Sequence, residues 1–406
     1  MQQIARPPHY EQPLLPTPFH DRARALSQVD QFIAWAGYST VDVFTSVEQE
    51  YFAIRNACSL YDLTPMVKYE VTGADAERYL NRLVTRDVGR LRPNRVAYIL
   101  LCNDDGHLIE DGTLFRLGDG SFRLCMAERQ LNWLLDSAIG FDVSVKDITG
   151  HIAALSLQGP TACGVLRALG LDGIETLRPF SIGQFRLDGR TLGISRTGFT
   201  GDLGYELWMD PEDALPVWDR LMQGGATRGI RAIGSAALNL ARIEAGFIMP
   251  NVDFISAEAT LRTGRSRSPF ELGLGWAVDF NKGHFNGRRA LIAEQASGPA
   301  RQLVGLDIEG SKPAHQALLY ADRGCRRQVG AVTSAAWSPT CKRNIALALV
   351  DAPHFAPGAD IWAEITLSRE LLWEIRVTRA RVVERPFFAP DSLIQRRRTQ
   401  VPAADF

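Results

Sequence analysis

Apolar positions along the chain change their period several times, and each change marks an element. From Ser27 to Trp35 the spacing of Val29, Phe32, Ile33 and Trp35 predicts a short helix, and Glu48 to Cys58 predicts another. Lys68 to Gly73 alternates as a strand, and Asp75 to Val84 has helical spacing at Tyr79, Leu80, Leu83 and Val84, so a βα unit is the economical reading. Strands are expected at Val96 to Cys102, Gly112 to Leu117 and Ser121 to Met126, the last two joined as a hairpin across Gly118-Asp119-Gly120. Glu128 to Ala138 reads as helix, Ile152 to Gln158 as a buried strand, Pro160 to Leu169 as helix, and Gln184 to Leu187 and Thr191 to Arg196 as strands. A helical segment runs from Ile233 to a break at Gly246. Two comparable α+β subunits are therefore expected before residue 250, without a residue-level repeat.

Beyond Gly298 helical spacing all but disappears. Strand signals at Gln302 to Ile308, Gln328 to Thr333, Ile345 to Val350, Asp360 to Ile365 and Leu372 to Val383 predict a small β-barrel or sandwich as a separate domain. The expected division is residues 1–298 and 299–406. Pro7, Pro8, Pro13, Pro16 and Pro18 make the first twenty or so residues an extended arm that cannot form regular helix. Gly264 to Pro269, with Arg262, Arg265 and Arg267 in or beside it, reads as a mobile polar loop.

At 406 residues the chain needs two or three cores. A formal net charge of -1 with 22% charged residues supplies no electrostatic footprint for nucleic acid or a membrane surface. No apolar run reaches membrane-spanning length and the start lacks a signal-peptide order, so the cytoplasm is the expected compartment. Six scattered cysteines without a C-x-x-C pair, and seven histidines never four apart, predict neither a zinc site nor a disulfide framework.

Three segments carry candidate chemistry. Ser195-Arg-Thr-Gly-Phe-Thr-Gly-Asp-Leu-Gly-Tyr-Glu-Leu-Trp208 is a glycine-punctuated turn entering a strand, and Gly198, Gly201 and Gly204 let the backbone approach a ligand or take positive φ. Alternation points Glu206 away from Tyr205 and Leu207. Asn103 to Asp111 holds four carboxylates in nine residues, and because adjacent acids in an extended segment face opposite ways, one of Glu110 and Asp111 lines a site while the other is solvated. Arg242 and Glu244 are two apart on a helix, giving one paired and one solvated charge. Gly273-Leu-Gly275 is no dinucleotide fingerprint, since no third glycine follows and Trp276 stands in the way.

The turn at 195–208 resembles the signature of the folate-dependent aminomethyltransferase family, the glycine-cleavage T-protein and its demethylase relatives. Further matches lie at Arg55 through Asp62, at Met66, at Val71 through Ala76, at Leu157-Gln-Gly-Pro160, at Arg242-Ile-Glu-Ala-Gly246, at Pro269 through Trp276 with Lys282, and at Val329 through Pro339. The resemblance implies a multidomain, cloverleaf-like α+β fold around a tetrahydrofolate site with a C-terminal β-barrel. It implies that Glu206 grips the pterin ring and that Asp111 is the catalytic carboxylate, with Met66, Arg242, Phe199 and Tyr98 completing the cofactor-binding set; no metal is expected. A carboxylate near N5 stabilises the cation formed when that amine attacks a one-carbon unit.

The departures from the family pattern cluster on the donor side. Asp62-Leu-Thr-Pro-Met-Val-Lys68 has Pro65 and Val67 where the family has histidine and glycine; on the cofactor side, Leu238-Asn239 replaces an arginine–aspartate pair and removes a cation from the channel expected to hold the folate tail. The first reading is therefore a tetrahydrofolate-dependent demethylase taking a methyl group from a small O-, S- or N-methyl donor, with Trp35 and Phe247, and also Met66 and Phe199, against the donor. The alternative is a T-protein acting on an aminomethyl-lipoyl carrier protein, which Arg262 to Arg267 and Arg396 to Arg398 could meet. A non-catalytic folate-binding protein is the third.

Overall fold

In the computed structural model, which describes residues 13–118, 121–262, 264–369 and 371–388, the chain is α+β, with a closed six-stranded barrel at its C-terminal end. Strand Val67–Thr72 sits between Ser121–Met126 and Ser144–Asp147 and is antiparallel to both. It belongs to a five-stranded sheet completed by Leu108–Gly118 and Arg95–Cys102. Helix Ala76–Leu83 follows as the sequence predicts, but the expected βα unit leads to no parallel partner. Gly118 pairs with Ser121 across the expected hairpin, whose Asp119 and Gly120 lie outside the described residues.

The second sheet is not contiguous in the chain. Its order is Ile182–Leu187, Arg190–Ser195, Gly204–Met209, Ala153–Gln158, Cys58–Asp62 and Ile230–Ala232. The two sheets are interleaved along the chain: Cys58–Asp62 enters this six-stranded sheet before the five-stranded one has begun. The adjacent strands Ala153–Gln158 and Gly204–Met209 are buried along their whole length, the polar Ser156, Gln158 and Glu206 included.

Three local expectations fail for identifiable reasons. Residues 27–35 are not helical; Gln31–Trp35 is a strand paired with Tyr38–Val43. The turn between them takes positive φ at Ala36 (46°) and Gly37 (91°), a hairpin geometry that a period count over nine residues does not register. Among the described residues of the proline-bearing arm, Leu15–Pro16 is a strand that runs parallel to Tyr38–Ser39, and the chain then enters an unpredicted helix, His20–Leu26, anchored by the fully buried Phe19. Pro7, Pro8 and Arg396 to Arg398 lie outside the described residues. Arg267 is not part of a loose polar loop: it is 9% exposed, its guanidinium donates to the carbonyls of Gly264 and Ser266, and its own carbonyl accepts from the Leu108 amide at 2.7 Å.

The barrel runs Arg301–Ile308, Arg343–Asp351, Gln328–Ser338, Leu318–Tyr320, Asp360–Arg369 and Leu372–Val383, closing on the first strand. It meets the rest of the molecule along helix Ser235–Glu244, which also packs on helix Val47–Asn56. Arg242 and Glu244 make that junction, and neither is solvated, contrary to expectation. Arg242, 1% exposed, donates to Asp253 Oδ2 (2.6 Å), Ser334 Oγ (2.7 Å), Asn239 Oδ1 (2.8 Å) and the Phe247 carbonyl (3.1 Å). Glu244, 0% exposed, accepts from Arg55 (2.6 and 2.9 Å), Tyr51 and Ser338. Side chains on a helix two apart do diverge; here each direction leads into a different buried partner set.

Candidate functional site

Paired residues in antiparallel strands share a face of the sheet. In the five-stranded sheet Asp111 pairs with Leu100, Thr113 with Tyr98 and Cys125, and Phe115 with Arg123, so these side chains stand on one surface. In the six-stranded sheet Glu206 pairs with Ser156 and Ser195, and Trp208 with Ala154 and Gly193, forming the opposing surface. The two surfaces meet where Phe115 packs edge-on to Trp208 at 5.3 Å and the Arg123 guanidinium lies 5.4 Å from the Trp208 ring centre. Asp111 and Glu206 therefore stand on the two surfaces that meet at this seam, on strands that the sequence separates by almost a hundred residues.

Asp111 is half-buried and accepts a hydrogen bond from the Tyr98 hydroxyl at 2.7 Å. Burial pushes the Asp111 carboxyl up, while the Tyr98 bond pulls it part of the way back. The Tyr98 phenol, raised well above its ordinary range by burial and by the Asp111 charge, stays protonated and so remains the donor. Trp276 stacks on Tyr98 at 5.7 Å, and Arg86 lies 5.7 Å from the Trp276 ring centre.

Glu110 points to the other face, as alternation requires, but it is not solvated. It is 1% exposed, and its carboxylate accepts the Asp111 amide at 3.1 Å. Burial, followed by the nearby Asp111 charge, raises it further than Asp111, so the Glu110 carboxyl is the neutral member of the pair. A buried acid in a period-2 position is indistinguishable in sequence from an exposed one, which is why this residue was missed.

Glu206 is 9% exposed and accepts the Thr197 hydroxyl at 2.5 Å. Ser195 Oγ lies 2.7 Å from Thr197 Oγ1 and accepts the Trp208 indole N–H at 3.0 Å, so the carboxylate ends a short polar chain inside an apolar wall. Burial raises its carboxyl to about 7, against the opposing pull of Thr197 and Ser195.

Of the other predicted residues, Phe199 and Phe247 are brought together as a stacked pair with ring centres 5.6 Å apart. Trp35 donates its indole N–H to the Ala127 carbonyl (3.0 Å) and stacks on Tyr61. Met66 is half-buried against the same apolar cluster, and its turn is fixed by the fully buried Lys68, whose ammonium donates to the Thr64 (2.7 Å) and Met66 (2.8 Å) carbonyls. Arg242 is spent on the junction described above, with Asn239, the departure from the family pattern, accepting from its Nε. Among the described residues no group of three or more His, Cys, Asp or Glu could hold a metal ion.

The comparisons with known proteins agree with this architecture. Residues 4–282 match the GCVT N-terminal domain, and residues 301–389 match the glycine cleavage T-protein C-terminal barrel domain. The chain belongs to the glycine cleavage T-protein family. It is 33% identical over 363 residues to an aminomethyltransferase of Geobacillus kaustophilus, covering 88% of this chain and 94% of that one. It is 32% identical over 335 residues to an aminomethyltransferase of Halothermothrix orenii, covering 82% and 90%. Among solved structures, the glycine cleavage system aminomethyltransferase T of Bartonella henselae superposes with a TM-score of 0.81 at 25% identity, covering 92% of this chain and 98% of that one. The T-protein family consists of folate-dependent one-carbon transferases, and the chain is an enzyme of that kind. No helix among the described residues is long and apolar enough to cross a membrane.

Proposed function

We propose that the protein transfers the methylene carbon of an aminomethyl-lipoyl carrier protein to tetrahydrofolate, giving 5,10-methylenetetrahydrofolate and releasing ammonia and the dihydrolipoyl carrier. The names of its relatives support this donor over a free methyl compound, reversing the order in which the sequence departures rank the two. The observation that carries the folate half is the pair of raised carboxyls, Asp111 and Glu206, on the two sheet surfaces that meet at one seam.

The residues present fit tetrahydrofolate. Glu206, with Oε2 bound by Thr197, offers an acceptor in a mostly apolar setting to the adjacent ring N–H and exocyclic amine of a pterin. When bound, tetrahydrofolate supplies N5 as the nucleophile. Asp111 stabilises positive charge at N5 and takes up its proton, and Tyr98 keeps that carboxylate oriented and sufficiently acidic to be ionised near neutrality. Met66 and Trp35, packed against one apolar cluster, and the stacked Phe199 and Phe247 are the apolar side chains assigned to the donor.

A methyl donor is the second reading, favoured by the Phe199–Phe247 stack and by Pro65 and Val67. In the same proposal the chain divides at 298/299, where helix Arg288–Ser297 ends on Gly298 and the barrel begins at Arg301, and it works in the cytoplasm, in keeping with six cysteines of which none is in a disulfide.

The test is incubation with tetrahydrofolate and, separately, an aminomethyl-lipoyl carrier and a panel of methoxyarenes, methylated amines and sulfonium compounds, with folate products read by mass spectrometry. 5,10-Methylenetetrahydrofolate from the carrier alone supports the proposal. 5-Methyltetrahydrofolate from a methyl donor overturns it in favour of demethylation.

A further inference from the structure

Two of the three glycines in the 195–208 turn are required by a side chain. Gly198 and Gly204 do not take positive φ; only Gly201 does, at 75°. A Cβ on Gly198 would fall 2.0 Å from Gln158 Oε1, and one on Gly204 would fall 1.9 Å from the same atom. The Gln158 amide, 1% exposed at the end of strand Ala153–Gln158, is thus clamped between two residues that must lack side chains.

From that position it organises the turn. Gln158 Nε2 donates to the Thr197 carbonyl (3.2 Å) and the Tyr205 carbonyl (3.4 Å), and Oε1 accepts the Thr200 hydroxyl (3.2 Å). Thr197 in turn holds Glu206 through its hydroxyl, and Phe199 is carried between Thr197 and Thr200. The far side of the turn is tied down independently, by Arg55 donating to the Thr200 carbonyl at 2.9 Å. Gln158 is the internal peg and Arg55 the external one.

We propose that Gln158 is the positioning residue for the pterin-holding half of the site, setting Glu206 through Thr197 and placing Phe199 through the clamped turn. It acts on folate affinity and leaves the Asp111 chemistry alone. The inference rests on the reading that Glu206 holds the pterin.

The loss of a buried amide that satisfies three groups leaves those groups unpaired, so the turn reorganises around the gap. Gln158→Met keeps the length and removes all three bonds, and Gly198→Ala displaces the amide without altering Gln158. In both, the Kd for tetrahydrofolate is expected to rise about tenfold or more, with KM following it and kcat at saturating folate within about threefold of wild type.

Loss of the Thr197 bond also removes a contact that lowers the Glu206 carboxyl. The pH midpoint for folate binding should therefore move upward, a change that mere loosening of the fold would not cause. The titratable groups facing Glu206 from the other sheet are the Cys125 thiol, raised by burial to about 12 and so neutral, and beside it Lys68 and Arg123.

Unchanged Kd and unchanged pH midpoint in both variants would overturn the inference, as would a fall in kcat at unchanged Kd. If Gln158→Met does not fold, Gly198→Ala alone decides. Failure of the underlying reading is seen separately: Glu206→Gln in an otherwise unaltered chain would then bind tetrahydrofolate like wild type, and this too overturns the inference.

Discussion

Tyr98 reaches diagonally across its strand pair to donate to Asp111 Oδ2 at 2.7 Å, although Tyr98 pairs in register with Thr113 and Asp111 with Leu100. The contact favours the ionised form of an acid that burial would otherwise hold protonated. Tyr98→Phe removes it without changing the packing of the ring on Trp276. The Asp111 carboxyl then rises, so the ascending limb of kcat/KM against pH moves toward alkaline pH. At neutrality the rate falls by about tenfold and recovers as pH increases, while tetrahydrofolate affinity is retained. A rate loss equal at every pH would assign Tyr98 a different role.

Glu206 carries an ionisation penalty in the folded protein. Its folded carboxyl sits at about 7, above its ordinary value of 4.5. Between those two values the unfolded chain gives up the proton and the folded one keeps it, so native stability falls as pH rises and levels off above the folded value. At ~1.4 kcal/mol per unit the penalty at pH 8 is roughly 3 kcal/mol. Glu206→Gln should therefore melt higher than wild type at pH 8, match it near pH 4.5, and bind folate at least tenfold more weakly. Parallel thermal scans at the two pH values, with calorimetric folate titration, check all three outcomes.

Arg55 and Glu244, 2% and 0% exposed at their side chains, form a buried ion pair that joins helix Val47–Asn56 to helix Ser235–Glu244, and Ser338 of the barrel donates to the same carboxylate. Removing one partner strands the other charge. Arg55→Met and Glu244→Gln are each expected to cost on the order of 3–5 kcal/mol in urea unfolding, with the double variant costing less than the two single losses added together. Additive losses would mean that the two charges are stabilised independently.

Asp253 plays the equivalent part for Arg242, accepting also from Thr333, Ser334 and the Met249 amide. Its charge raises the Asp111 carboxyl. Asp253→Asn is expected to lower the acid limb of the pH–rate profile while weakening barrel docking by ~2–4 kcal/mol, read from the first transition in a denaturant titration.

Trp276 is 63% exposed and is joined to the site through its stack on Tyr98. Trp276→Ala should leave the melting temperature within a few degrees and reduce kcat by about threefold or less. A loss as deep as that of Tyr98→Phe would place Trp276 in direct contact with substrate.

The sequence by itself determined the elements with a clean period and the motif-bearing turns. Helix Ala76–Leu83, the strands around Asp111 and Glu206, the barrel and the family all follow from local spacing and from residues quoted in order. These features are local, or are carried by several short motifs at once, and neither depends on which strand lies beside which.

Only the tertiary structure decided the rest. Strand Cys58–Asp62 joins a sheet whose other members begin ninety residues later, and Gln31–Trp35 is a strand because of the turn that follows it. Glu110, Arg242 and Glu244 read as half-solvated because charge in a sequence carries no partner; folding turned Glu110 onto the adjacent Asp111 amide and brought Asp253 to Arg242 and Arg55 to Glu244. The glycines at 198 and 204 read as freedom for the backbone, and the fold shows them as room for Gln158. Burial raises a carboxyl, pairing lowers it, and both depend on distances that close only when the two sheets face each other.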